Sequence, residues 1–462
     1  MDVPDCPGCR ELQTRLAQAE AKILALESHI RDLLDRLKPP TPPRAITPVP
    51  PAPAKKPTGK KPGGQPGHPP RMKVRVPPER VTHVVTYRPE QCRSCAAALP
   101  REPGSADPEP TWHQVAELPK VAADITEHQG HARTCPGCGT VTRAAIPAAV
   151  RAHSVGPKLT ATMGYFVGLH GVSKRGVEEI VEHLFDVSIA LGTVANREQE
   201  LSAALIPAHE EARQAIAAAP VKHVDETGWK QAGKKRWLWA AATSSVAYFL
   251  IHPCRNLSAL HRVVGEKLHG ILVSDRWCVY DEWSVERRQL CWAHIKRNWE
   301  KRIERGGASK RVGEAWLAVQ HRVFELWHGF RGGGCSRAEL DERMEPLVEE
   351  LGEVLWSGIR SRDRGLVRFC ARLQAHSAAL WTFVCSEGVE PTNNRAERVQ
   401  RRAVLWRRRS FGCHSADGCR FVERLLTAVQ TLREHGRSVL TFLTDSIVAH
   451  RAGTPAPKLV IG

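Results

Sequence analysis

Apolar residues recur along this chain in changing rhythms, and the changes mark its elements. Leu12, Leu16, Ala19, Ile23, Leu26, Ile30, Leu33 and Leu37 alternate spacings of four and three, with mostly polar residues between. That stripe is the a/d seam of a coiled coil over nearly four heptads. It predicts a helix over 1–38 that pairs with a partner, most simply as a parallel homodimer. One amphipathic helix packed on its own domain would give the same stripe. Pro39-Pro40 end the helix, because proline lacks the amide donor and its ring clashes with the preceding turn. Residues 39–70 hold 13 prolines, 4 glycines and no acid, which predicts an extended, semi-rigid basic linker. Short strands and loops follow over 71–150, then helices over 151–215.

From residue 216 the rhythm is that of strands. Val221–Asp225, Arg236–Ala241 and Val246–Ile251 read as three strands, Leu257–Leu268 as a helix, and Gly270–Asp275 as a buried strand. Helical periodicity resumes over about 295–385, interrupted by Gly332-Gly333-Gly334. A basic helix is expected at 393–409 and a helical tail over 431–462. The predicted class is multidomain α+β, with 216–430 as one α/β core carrying an all-helical insertion.

Composition narrows the partner. The 462 residues include 67 Lys and Arg against 49 Asp and Glu, a formal charge of +18. Such an excess favours a polyanion, most simply nucleic acid, although a basic surface without a partner has the same arithmetic. No run of apolar residues reaches membrane-span length, and the N-terminus has no secretory pattern. A cytoplasmic, nucleoid-associated protein is expected. Its 14 cysteines then read as thiols or metal ligands rather than a disulfide framework.

Cys92-x-x-Cys95 and Cys135-x-x-Cys138 are paired at the spacing of a closed tetrahedral Zn²⁺ site, so 71–150 is expected to be a zinc-binding domain. The 39 residues between the pairs require an inserted hairpin. His128 or His131 could replace one thiol, and two unrelated buried pairs would look the same. Cys6 and Cys9 form a third pair with no complement nearby. Two chains could share an ion there, or the pair is redox-labile or idle.

Gly176–Leu184, a break at Phe185–Ser188, and a second helix opening near Leu191 fit a helix-turn-helix. Thr193, Asn196 and Arg197 are then candidate DNA contacts, although any helical hairpin has this pattern. The strand order in 216–275, with acids ending the first and last strands, is the layout of an RNase H-like sheet. It sets Asp225 and Asp275 side by side, though either could merely cap a turn. Glu397 follows Asn394 by three residues, the capping-box spacing. Around it crowd Arg395, Arg398, Arg401 and Arg402, whose guanidinium forks suit phosphate and equally suit a solvated basic face. Three carboxylates are enough to hold two Mg²⁺ (or Mn²⁺) ions for phosphodiester chemistry.

Taken in order, these features resemble transposases of the insertion sequence 66 family over nearly the full length. They are the CPGC-headed coiled coil, GKKPGGQPGH, the two CxxC pairs, the helix-turn-helix, and VDETGW, LVSD, LCWAH and PTNNRAER. The resemblance implies a metal-dependent DDE recombinase that cuts and joins double-stranded DNA at terminal inverted repeats and target sites. Asp225, Asp275 and Glu397 stand at the family's acidic positions. Cys291 and His294 match its CWAH element, in a structural or metal-supporting role. Small accessory proteins of the same element are implied partners. The chain departs from the family at Arg276-Trp277, where glycine and an aromatic usually stand. The alternatives are a catalytically inactive DNA-binding regulator of the element and an RNase H-like nuclease.

Overall fold

The computed structural model describes residues 74–105, 107–119 and 121–461. The coiled-coil and linker expectations, and Cys6 and Cys9, lie outside the described residues. Two compact units divide the chain at Glu117 and Leu118. In the first, the described residues are largely irregular, with one 3₁₀ turn at Pro78–Arg80 and an isolated bridge between Gln91 and Ala98.

The second unit is built on a five-stranded mixed sheet. Its long hairpin pairs β3 (Val221–Gln231) with β4 (Lys234–Ala242), after the small hairpin β1 (Ala132–Thr134) and β2 (Val141–Arg143). The two-residue turn Ala232-Gly233 has positive φ at both positions, 48° and 76°, which matches its twist to the strands it joins. β3 is therefore longer than the run ending at Asp225 that its apolar pattern predicts. β5 (Ala247–His252) pairs antiparallel with β4. β6 (Ile271–Ser274) pairs parallel with β3, and β7 (Arg288–Leu290) parallel with β6. The order is β5-β4-β3-β6-β7. The three predicted strands, the helix and the fourth strand are all present. β7 is too short and too polar to announce itself. Its Arg288 is buried because Asp281 takes its guanidinium at 2.7 Å.

Helices α1 (Ala148–Arg151), α2 (Pro157–His170), α3 (Lys174–Phe185), α4 (Leu191–Ala204) and α5 (Ile206–Ala218) precede the sheet. Asp186, in the left-handed conformation (φ 57°), ends α3, and the chain reaches α4 through Val187–Ala190. Val177, Val181, Val194 and Leu201 bury the facing stripes of these two helices. They belong to the same apolar core as Val224 and Trp239 of the sheet. α6 (Leu257–Val264) stops four residues before its apolar pattern does, at Gly265 (φ 85°).

The insertion comprises α7 (Trp292–Ile303), α8 (Gly307–Arg331), α9 (Arg337–Ile359), α10 (Arg364–Gln374) and α11 (Ala378–Cys385). The break between α8 and α9 falls at the predicted glycines. A second core holds these helices together, and Val273 and Leu290 tie it to the sheet. Within it Trp316 lies 5.6 Å from both Trp292 and Trp299, and such pairs stabilise by about 0.5–1.5 kcal/mol beyond their area.

α12 (Asn394–Ser410), α13 (Ala416–Glu434) and α14 (Val439–Ala452) complete the unit. Along α13, Glu423, Thr427 and Thr431 meet the outer edge of β5. They accept from the amides of Ile251 (2.6 Å), Phe249 (3.1 Å) and Ala247 (3.1 Å). Four helical residues advance about 6 Å and two strand residues about 6.8 Å, so the two rows stay in step. At the opposite edge, Gln289 of β7 accepts from the Phe383 amide at 2.8 Å, and the Thr382 hydroxyl donates to the Arg288 carbonyl.

Candidate active site

Asp225 lies on β3 two residues beyond His223, whose register partner on the parallel strand β6 is Val273. Asp275 lies two residues beyond Val273, just past the end of β6. Parallel register thus sets the two acids at matching positions on neighbouring strands. Glu397 comes from the first turn of α12.

A short clamp brings that turn to the strands. The Cys291 amide donates to the Ser274 carbonyl at 2.9 Å, and the Trp292 amide to the Pro391 carbonyl at 3.0 Å. The Asn393 amide donates to Cys291 Sγ at 3.1 Å. The fully buried Asn393 side chain donates from Nδ2 to the Val224 carbonyl at 2.8 Å. Its Oδ1 therefore faces His223 Nδ1 at 3.2 Å. An amide oxygen can only accept, so that ring nitrogen carries the proton. Asn393 is also the residue before α12, yet its side chain makes no bond to the helix amides. Glu397 in turn directs Oε1 to Arg297 at 3.0 Å, with His294 Nε2 at 3.5 Å. The capping-box use of Glu397 is thereby overturned, because the cap position is Asn393 rather than Asn394 and Glu397 is turned to tertiary partners.

Burial pushes Asp225 up to about 8, reinforced by Glu226, Asp275 and Glu397. The three acids are thus within electrostatic reach of Asp225. Among the described residues, no group of three or more His, Cys, Asp or Glu side chains is gathered closely enough to enclose an ion. Asp275 Oδ1 also accepts from the Trp277 amide at 2.9 Å, so it holds the turn as well. Glu226 points to the opposite face of β3. There it accepts from Tyr280 and from Arg255, whose guanidinium lies 4.9 Å from the Trp237 ring and 3.9 Å from that of Trp277. Burial raises the Cys291 thiol and lowers His294.

The arginines of α12 divide. Arg395 donates to the Thr243 carbonyl at 3.1 Å and Arg402 to that of Leu169 at 3.0 Å. Arg407 donates to Thr227 and Gly228. These dock the helix. Arg398 and Arg401 are exposed. On α4, Asn196 is exposed and Thr193 half-buried, whereas Arg197 is bound to Glu200 at 2.6 Å. The two cysteine pairs adopt one and the same turn. The amide of the first cysteine donates to the carbonyl five residues on, and its carbonyl accepts from the amide four residues on. The latter residue, Ala96 or Gly139, has positive φ in each case. Cys92 and Cys95 belong to the first unit, Cys135 and Cys138 to the second.

Sequence pattern alone did not single out Asn393, Arg297 or the Glu226–Arg255–Tyr280 group. An asparagine ahead of a helix reads as a cap, which hides a long-range role. Arg297 did leave a signal, standing one helical turn after His294 on the same face.

Over 252 residues the chain is 25% identical to "Uncharacterized protein y4qI" of Sinorhizobium fredii (strain NBRC 101917 / NGR234). The match covers 49% of this chain and 46% of that protein, so the chain spans less than half the length of this relative. The Transposase IS66 family matches residues 153–420, a stretch that takes in the sheet, the insertion, the clamp and all three acids. With more than half of its length so matched, the chain belongs to that family of transposases.

Proposed function

We propose that this chain is a DDE-type DNA transposase whose 216–430 region works as an RNase H-like core. Asp225, Asp275 and Glu397 would hold Mg²⁺ or Mn²⁺. What supports this is that parallel register sets Asp225 and Asp275 at matching positions on neighbouring strands, and that Glu397 stands on the turn which the Asn393 clamp ties to β3. The sheet order β5-β4-β3-β6-β7, with three antiparallel strands followed by two parallel ones, supports the fold. The donor set fits a hard divalent cation. It offers carboxylate oxygens, and the leading influences on buried Asp225 itself include three acids and no cation. When bound, such ions supply an activated water or hydroxyl and stabilise the leaving oxygen.

The remaining work belongs to the chain's own side chains. His294 and Arg297 aim Glu397, and Asn393 fixes the distance from α12 to β3. Exposed Arg398 and Arg401 face the DNA strand. Cys92, Cys95, Cys135 and Cys138 would bind Zn²⁺. The α3–α4 pair would read the terminal repeats, with Thr193 and Asn196 toward bases and Arg197 bracing α4 through Glu200. A homodimer joined through 1–38, accessory proteins of the same element and a nucleoid location complete the proposal. No helix among the described residues is long and apolar enough to cross a membrane.

Transposition in cells tests this. A selectable marker is bracketed by the gene's own flanking DNA, with neighbouring small reading frames supplied. Movement by wild type and none by Glu397→Gln is expected. Equal movement by both would remove Glu397 from the site. Binding of the flanks with no metal-dependent cutting would instead identify a regulator, and preferred cleavage of RNA–DNA hybrid a nuclease.

A further inference from the structure

Beside Asp275, an open pocket of about 400 Å³ is lined by Arg276, Arg302, Arg305, Arg368, Arg372 and Phe369. The arginines come from three places. Arg276 follows Asp275 directly, Arg302 and Arg305 end α7 or lie just beyond it, and Arg368 and Arg372 stand one turn apart on α10. Phe369 forms the floor, with the Arg276 guanidinium 4.7 Å and that of Arg302 4.1 Å from its ring centre.

The neighbouring acids do not balance this charge. Asp281 takes Arg372 at 3.4 Å, but it also serves Arg288 at 2.7 Å and His376 at 3.2 Å. Asp363 caps α10 and accepts from Ser309. Asp275 turns Oδ1 to the Trp277 amide. Two donors in the cluster, Arg276 Nε and Arg302 Nη1, are buried with no hydrogen-bond partner. Buried donors are rarely left so. Five guanidinium groups gathered around one pocket, two of them with unmet buried donors, call for an acceptor with several anionic oxygens, and the forks of arginine match phosphate. Arg305, Arg368 and Arg372 are exposed, so the pocket opens to solvent.

We propose that this pocket seats a backbone phosphate of the DNA strand that runs to Asp275. The assignment rests on the transposase function proposed above for its choice of DNA, and on the pocket alone for its choice of phosphate.

The test uses the full-length chain and a duplex carrying the element's ends, with binding followed by fluorescence anisotropy over a series of NaCl concentrations. Arg305→Gln and Arg368→Gln change exposed members, so folding is not at issue. Together they should lower the steepness of log K against log [salt] by up to about 0.9, the share of one phosphate contact. Loss of a like charge at exposed Arg343 on α9, by Arg343→Gln, should leave the slope unchanged. A slope that stays at the wild-type value in the arginine double variant overturns the proposal. So does a pocket that takes only a free anion, in which case inorganic phosphate raises the melting temperature of wild type but not of the double variant and the DNA slopes coincide. Because the readout is binding, a lowered slope in a protein that never cuts DNA would keep the phosphate seat and reject the transposase.

Discussion

Replacing Asn393 by alanine removes the side chain that ties the start of α12 to β3. Both of its bonds lie in a fully buried setting: Nδ2 to the Val224 carbonyl at 2.8 Å and Oδ1 from His223 Nδ1 at 3.2 Å. Alanine leaves a buried carbonyl and a buried imidazole N–H unmet. Each such loss costs about 1–3 kcal/mol, so together they come to about 2–6 kcal/mol. Asn393's own amide bond to Cys291 is unaffected, which confines the damage to the clamp. A chain of several cores need not unfold in one step, so a local assay is the right one. Amide hydrogen exchange reports the free energy of opening segment by segment. Every 1.4 kcal/mol is tenfold, so protection of peptides spanning 221–226 and 391–400 should fall by about 30-fold or more, while α8 and α9 keep theirs. Transposition should fall with it, because Glu397 rides on the same turn. Undiminished protection at 221–226 would refute the clamp, whatever happened to activity.

Two buried groups that grip β5 should tilt stability in opposite directions with pH. Burial holds Glu423 up at about 7, so its contribution is full below the ordinary 4.5 and is lost as pH rises through 7. Burial holds His209 down at about 4, so its contribution is full above the ordinary 6.5 and is lost as pH falls toward 4. Each is worth about 3 kcal/mol at its extreme. In melting temperatures taken from pH 4.5 to 8.5, Glu423→Gln should flatten the alkaline limb and His209→Gln the acid limb; curves parallel to wild type would contradict both. Arg255→Met strands Glu226, whose side chain is only 1% exposed, and should destabilise by about 3–5 kcal/mol. Adding Glu226→Gln should recover most of the lost melting temperature, and no recovery would mean that Arg255 acts through its stacking on Trp237 and Trp277. Elemental analysis of the purified chain should find zinc in wild type and lose it in Cys135→Ser, and equal content in both would take Cys135 out of the site.

Local signals carried the strand order and the insertion. Alternating or continuous apolar runs marked β3 to β6, and three glycines marked the break between α8 and α9. Asp225 and Asp275 were legible because an apolar run closed by Asp is a short-range pattern, even though β3 itself continues past Asp225 to Gln231. Boundaries set by turn chemistry were less so, as with the extension of β3 to an Ala232-Gly233 turn that its polar tail concealed. β7 escaped because a buried arginine inside a strand makes sense only once Asp281, seven residues earlier, is folded against it. The arginines of α12 look uniform in sequence, yet Arg395, Arg402 and Arg407 are spent on carbonyls of distant segments. Asn393 was hidden for the same reason, since its partners lie about 170 residues away. Contacts at that range leave no periodicity to find.

The row formed by Glu423, Thr427 and Thr431 has a consequence for how copies of this chain can meet. A bare strand edge invites a neighbour's strand, and that is the usual route to aggregation. Here the amides of β5 are already answered by a helix, and β7 is met by Thr382 and Phe383 of α11. The folded sheet cannot be lengthened by a second molecule at either rim. Self-association around the five-stranded sheet must use its helical or loop surroundings and leave that sheet intact. The hazardous species is therefore a partly opened one, in which α13 has lifted away and β5 is left to recruit a stranger.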